Sequence, residues 1–107
     1  MPIATVNPTT GEVVAEFAPH DPDEVERRIA EAHAAFETLA STTFAERAAW
    51  MRRAADVVES EVEQTAQLMT LEMGKPIAQA RGEVLKCARG MRFYAEHAAS
   101  ILSAQPL

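Results

Sequence analysis

Cysteine, basic residues and aromatic side chains are scarce in this sequence, and each shortage excludes a class of protein. Cys87 is the single cysteine, so no internal disulfide can form, and a reducing cytoplasm is the expected compartment. Ten Lys and Arg residues stand against 16 Asp and Glu, and the resulting formal charge of −6 argues against a nucleic-acid-binding surface. Aromatic residues are only 6% of the chain, which favours helices packed through small side chains over a β-sandwich or barrel.

Long apolar runs and glycine-rich segments are also missing. No stretch approaches the ~20 apolar residues that cross a bilayer, so we expect no membrane association. The first part of the chain has neither the basic nor the apolar region of a secretory signal. The four glycines, at positions 11, 74, 82 and 90, are too dispersed to form a phosphate-binding loop.

Residues 1–18 have the composition of a β-hairpin. β-Branched and aromatic residues lie on both sides of the turn sequence NPTTG at positions 7–11. Proline fixes one dihedral angle of such a turn and glycine accepts a positive φ, so we predict two strands between Ile3 and Phe17. Because a two-stranded hairpin is marginal in water, it needs a further surface to lie on.

Residues 19–107 show the apolar spacing of three or four antiparallel helices. Gly74 is predicted to end one helix, and Pro76 to begin the longest one. Gly82 and Gly90 lie inside that longest helix and suggest that another backbone approaches it there. Capping boxes predict where the other helices begin: Asp21 with Glu24, Thr43 with Glu46, and Ser60 with Glu63. The third of these is a possible box, at which the helix kinks or restarts.

The histidines do not occur in a metal-binding pattern. A di-iron helical bundle needs a glutamate three positions before a histidine on each of two helices. Other residues hold those positions here: Phe17 before His20, Ala30 before His33 and Tyr94 before His97. We therefore predict no metal site.

Cys87 is the only thiol that could act as a nucleophile. Its neighbours Lys86 and Arg89 are cationic, which favours a thiolate. However, it follows Ala80 and Val84 along the apolar spacing of a helix, where a free cysteine behaves as a small buried side chain. We predict that Cys87 is a buried packing residue, and that the chain holds no catalytic and no cofactor-binding residue.

Several segments resemble the aldehyde dehydrogenase family. Residues 4–12, ATVNPTTGE, are similar to its N-terminal hairpin, and residues 69–77, MTLEMGKPI, to its Glu-x-Gly-Lys-Pro junction before a long helix. Residues 85–88 and 92–96 are similar to that helix in succinate-semialdehyde dehydrogenase-like members. The motifs occur in the family's order over essentially all 107 residues.

The resemblance implies a homo-oligomeric enzyme that uses NAD or NADP to oxidise an aldehyde, namely succinate semialdehyde. In such an enzyme this chain is a mainly α segment with an N-terminal β-hairpin (α+β as it stands) and forms the outer helical part of an α/β fold. The family's cofactor loops, catalytic glutamate and catalytic cysteine come after residue 107 in its order. We therefore expect the segment to bind no cofactor, to be inactive alone, and to have the rest of the subunit as its partner.

The resemblance also suggests where substrate passes. Gln79 and Glu83 match positions at the start of the long helix that line the family's substrate entrance, although two solvated helix residues explain them equally well. The alternative to an enzyme segment is a non-enzymatic helical scaffold or interaction module derived from such an enzyme. If the enzyme's sheet is absent, four side chains are expected to face water: Phe93, Tyr94, Ile101 and Leu102.

Overall fold

A computed structural model describes residues 3–104 and shows a two-stranded antiparallel sheet followed by four helices. This confirms the predicted fold class. The chain divides into two units, Met1–Thr42 and Thr43–Leu107. The elements are β1 (Ile3–Val6), β2 (Val13–Phe17), α1 (Pro22–Ala40), α2 (Phe44–Ser60), α3 (Val62–Met73) and α4 (Ile77–Ile101).

The hairpin forms where the turn sequence predicts it. Gly11 has a φ of 76°, and its N–H donates to the carbonyl of Asn7 at 2.8 Å. The Asn7 side chain accepts a hydrogen bond from the Thr9 N–H at 2.9 Å, which closes the turn. Ile3 pairs with Phe17 across the strands, and both side chains are exposed. The hairpin therefore buries little apolar surface by itself.

Helix α1 begins with half of the predicted capping box. The Asp21 carboxylate accepts the Glu24 N–H at 2.8 Å, and Pro22 occupies the first helical position. The Glu24 carboxylate instead binds Arg27 and Arg28, whose guanidinium groups hold its pKa below the ordinary value. The reciprocal bond of the box is lost to these charge-assisted bonds. No residue of α1 is buried.

Helix α2 begins with the complete predicted box. The Glu46 N–H donates to the Thr43 hydroxyl at 3.2 Å, and the Thr43 N–H donates to the Glu46 carboxylate at 2.7 Å. The Thr43 N–H bond, followed by the bond from the Thr43 hydroxyl, lowers the pKa of Glu46. Both reciprocal hydrogen bonds of the predicted capping box are therefore confirmed.

The predicted box between Ser60 and Glu63 is wrong, although the predicted restart is present. Helix α2 ends at Ser60 and α3 begins at Val62, without a side-chain cap. The Ser60 hydroxyl donates to the Val57 carbonyl at 2.8 Å, and the Glu63 carboxylate binds Arg81 of α4. Both groups thus have partners that compete with the cap.

Glycines mark one helix end but no close contact inside α4. Gly74 has a φ of 67° and ends α3, as predicted, and its N–H donates to the Thr70 carbonyl at 3.0 Å. A Cβ atom added to Gly82 or Gly90 would meet no other atom of residues 3–104 within 4 Å, apart from the helix's own backbone and the adjacent residues. The expected approach of another backbone is therefore not found among these residues.

Helix α4 packs against both α2 and α3. The buried residues at these contacts are small, and no large side chain among the described residues is fully buried. None of the four helices has the length and apolarity needed to span a bilayer within residues 3–104. The buried set is Ala55, Ala66, Ala80, Val84 and Ala88.

Candidate functional site

The two predicted entrance residues lie one turn apart at the beginning of α4. Gln79 is exposed, whereas Glu83 is half-buried. The Glu83 carboxylate forms an ion pair with the ammonium of Lys75, which lies in the turn between α3 and α4. Glu83 therefore links this turn to α4, while Gln79 has its side chain available to solvent.

Ion pairs connect α4 to both helices packed against it. The Arg92 guanidinium binds Asp56 at 2.7 Å and Glu59 at 2.6 Å, and the Arg81 guanidinium binds Glu63 at 2.7 Å. Their carboxylate partners raise the pKa of both arginines, and Arg81 lowers the pKa of Glu63. The acidic run at positions 59–63 is thus partly used between helices and is not only a solvated face.

The prediction that Cys87 is buried is wrong. Its side chain is exposed, and the adjacent Ala88 is buried in its place. The buried positions of α4 follow a strict four-residue step through Ala80, Val84 and Ala88, so Cys87 lies about 100° away around the helix. No residue in this region pairs with the thiol as a base would.

The histidines are dispersed. His33 is exposed, with its Nε2 atom 3.9 Å from the carboxylate of Glu37. The His97 ring stacks on Phe93 with 4.3 Å between ring centroids, and its Nδ1 atom lies 2.8 Å from the Phe93 carbonyl. Across residues 3–104, no three His, Cys, Asp or Glu side chains come together as metal ligands would.

A mostly apolar groove of about 610 Å³ lies between α2 and α4, and we call it the α2–α4 groove. Alanine side chains end at Cβ, so they leave space between the helices that longer neighbours enclose. Arg47 stands above the Phe44 ring at 4.7 Å from its centroid. The lining comprises five alanines (45, 48, 95, 98 and 99), four large apolar residues (Phe44, Met51, Tyr94 and Leu102), and Arg47 and Arg52.

The apolar spacing of the sequence accounts for six of the 11 lining residues. It places Phe44, Ala48 and Met51 on one face of α2, and Ala95, Ala98 and Leu102 on one face of the helical segment that includes α4. Phe44 lies at the beginning of α2, whereas Leu102 follows the end of α4, so the two helices run antiparallel. The combination of alanines on both faces with larger flanking residues is the signal that could have revealed it.

The described residues do not fit a dinucleotide. Such a cofactor is held by closely spaced glycines, backbone N–H groups and a helix N-terminus around its phosphates. Here the glycines are isolated, and Gly82 and Gly90 lie inside a continuous helix. The arginines Arg81 and Arg92 already bind carboxylates. No step of a cofactor-dependent reaction can be placed on these residues.

Comparison with curated proteins gives close relatives. A succinate-semialdehyde dehydrogenase [NADP(+)] 1 of Mycobacterium ulcerans is 54% identical over 107 residues, covering 99% of this chain and 23% of the relative. The protein of the same name in Mycobacterium tuberculosis is 51% identical over 106 residues, with the same coverage. An aldehyde dehydrogenase of Paenarthrobacter nicotinovorans is 52% identical over 103 residues, covering 96% of this chain and 22% of the relative.

Solved structures contain the same arrangement within longer chains. The succinic semialdehyde dehydrogenase of Streptococcus pyogenes, in complex with NADP+, matches with a TM-score of 0.90 at 28% identity over 98% of this chain and 23% of that chain. An aldehyde dehydrogenase of Brucella melitensis biovar abortus gives a TM-score of 0.86 at 30% identity over 100% and 22%. The chain thus spans about a quarter of the length of these relatives, and 23% of the length of the succinate-semialdehyde dehydrogenases.

The family comparison covers nearly every residue. The model of the aldehyde dehydrogenase family matches residues 1–106, including the hairpin, all four helices and the junction at residues 69–77. The matched region therefore contains every segment on which the resemblance rests. This chain belongs to the aldehyde dehydrogenase family.

Proposed function

We propose that this chain is the N-terminal segment of a cytoplasmic, NADP-dependent dehydrogenase subunit that oxidises succinate semialdehyde to succinate. The supporting observation is that the chain is 51–54% identical, over 99% of its length, to mycobacterial proteins named succinate-semialdehyde dehydrogenase [NADP(+)] 1. The complete enzyme is proposed to be a homo-oligomer, with the cofactor and the reacting residues held by the remaining part of the subunit. Residues 1–107 contribute an outer layer.

The burial pattern supports a structural role for the segment. The residues buried between its helices are four alanines and one valine, while aromatic and long aliphatic side chains remain exposed. A domain that folds alone normally buries its largest apolar side chains, because they contribute most to its stability. Here those side chains are available to cover another layer of the same subunit.

The segment is also proposed to be catalytically inactive alone and to bind neither NAD nor NADP. Cys87, its only thiol, is exposed on α4 without a base beside it. The isolated glycines support the same proposal, because they form no cradle for phosphates. Contacts with the cofactor and with the aldehyde group of the substrate are therefore assigned to the remaining part of the subunit.

Gln79 and Glu83 are proposed to line the substrate entrance, with Gln79 as the residue that contacts substrate. Gln79 is exposed, so its amide can donate a hydrogen bond to the distal carboxylate of succinate semialdehyde. Glu83 is bound to Lys75, so its expected contribution is to orient the turn before α4. In a complete enzyme, Gln79→Ala should raise KM with little change in kcat, whereas an effect on kcat alone would exclude an entrance role.

The test uses a chimera in which this chain replaces the matched first part of the Mycobacterium ulcerans relative. We expect the chimera to form NADPH with succinate semialdehyde, and the 107-residue chain alone to form none and to show no NADP+ binding by calorimetry. The intact relative and a version that lacks its first part are the controls. An insoluble or inactive chimera beside an active relative would favour the non-enzymatic helical module.

A further inference from the structure

We propose that the α2–α4 groove receives a large apolar side chain flanked by a carboxylate, supplied by the remaining part of the same subunit. This inference rests on the proposed function, because it assigns a specific contact to the segment's role as an outer layer. The structure supports it through the shape of the groove, its charge, and its place relative to the ion pairs of α4.

The shape of the groove requires an apolar occupant. At about 30 Å³ per water molecule, a volume of about 610 Å³ would hold roughly 20 waters. Nine of the 11 lining residues are apolar, so most of these waters would lack a hydrogen-bond partner in the lining. An apolar side chain that displaces some of these waters gains the burial of its own surface and of the part of the lining that it covers.

The charge of the groove favours an anion beside that side chain. Arg47 and Arg52 line the groove, and neither forms an ion pair within residues 3–104. Asp56 and Glu59, the carboxylates on the same helix beyond the groove, are engaged by Arg92. The two lining arginines therefore present positive charge in a chain whose formal charge is −6.

The same charges disfavour a second copy of the chain as the occupant. An isologous contact would bring two copies of the arginine-lined groove face to face. The relatives provide a different source, since this chain covers only 23% of their length and the remainder belongs to the same subunit.

The experiment measures whether the groove is covered in a complete subunit. Ala98 is changed to cysteine in a Cys87→Ser background, both in the 107-residue chain and in the chimera described above. Thiol labelling is followed by peptide mass spectrometry, so other cysteines do not interfere. We expect rapid labelling in the chain alone and labelling about tenfold or more slower in the chimera, because a buried thiol is shielded from reagent.

Ser100→Cys is the matched control, since it lies on the same helix but does not line the groove. Equal labelling of Ala98→Cys in the two proteins, with an active chimera, would overturn the groove proposal and leave the proposed function standing. A chimera that forms no NADPH while the intact relative does would overturn the proposed function and the groove assignment together.

The carboxylate is tested with charge variants of the chimera. Arg52→Glu should lower the temperature of thermal inactivation by several degrees, and Arg52→Lys should retain most of the wild-type value, because a lysine keeps the positive charge. Arg89→Glu, an exposed charge reversal on α4 outside the groove, is the control. Equal effects of Arg52→Glu and Arg52→Lys would contradict an anionic partner.

Discussion

The 107-residue chain on its own should be helical but loosely packed and prone to self-association. Four large apolar residues at the end of α4 are the main reason. Phe93 is 50% exposed, Tyr94 59%, Ile101 57% and Leu102 69%, which confirms the expectation that these side chains face water. Among residues 3–104, no buried side chain of comparable size compensates for them.

The magnitude follows from the exposed area. A large aromatic side chain buries about 150–250 Å², so a half-exposed one leaves on the order of 100 Å² in water. Two of the four side chains are smaller aliphatic ones, so together they leave at most roughly 400 Å², and at about 25 cal/mol per Å² they forgo up to about 10 kcal/mol of burial. Domains are stable by only about 5–15 kcal/mol, so a loss of this size removes most of the margin for cooperative folding.

Circular dichroism during heating, combined with sedimentation velocity, checks this prediction. We expect a broad loss of helicity, oligomers at micromolar concentration, and binding of a hydrophobic dye. The variant Phe93→Gln/Ile101→Gln should reduce dye binding and oligomer formation without lowering helicity, since both side chains are already exposed. A monomer with a steep and reversible transition would refute the reasoning and favour an autonomous helical module.

Three further predictions concern single groups. Thr43→Ala should reduce helicity because an N-cap contributes about 1 kcal/mol, and Thr43→Ser should restore it; equal helicity in both variants would contradict the cap. Cys87 should react with thiol reagents at nearly the rate of free cysteine, with Cys87→Ser as the blank, and slow labelling would contradict its exposure. The Arg81 guanidinium holds the pKa of Glu63 below its ordinary value of 4.5. Their contact therefore stabilises the fold above pH 4.5, and this stabilisation is lost as the pH falls through the lowered pKa. Glu63→Gln should remove the contribution of this pair to the loss of helicity in acid.

Features set by a few neighbouring residues could be predicted from the sequence. The turn at Gly11, the box between Thr43 and Glu46, and the end of α3 at Gly74 all depend on backbone conformation and hydrogen bonds within about one turn. The sequence signal is therefore sufficient at these three sites, whereas at Glu24 the nearby Arg27 and Arg28 bind the carboxylate and leave the predicted box half formed. The family resemblance drew on the same kind of local signal, because the junction at residues 69–77 contains the stop and the restart.

Features that depend on distant partners could not be predicted in this way. Glu63 matches a capping position, but its carboxylate binds Arg81, which lies 18 residues away in the sequence. In the sequence, Cys87 follows Ala80 and Val84 at intervals of four and three residues, which is one possible apolar face. In the structure, α2 and α3 instead bury the face of α4 that carries Ala80, Val84 and Ala88. The Glu63 error arose because an arginine on another helix competes with the cap for the carboxylate. The Cys87 error arose because a periodic pattern permits two adjacent faces, and the packing partner selects one of them.

The candidate site illustrates the same division between local and distant causes. Phe44, Met51 and Leu102 would be assigned to a core on periodicity alone, yet all three remain exposed around the α2–α4 groove. The helices approach through alanine, which brings backbones close but removes little apolar surface from water. We therefore propose that the large residues beside these alanines have their stabilising contacts outside the segment. We infer that the size of the buried residues, more than their periodic spacing, distinguishes an outer layer of a larger enzyme from a domain that folds by itself.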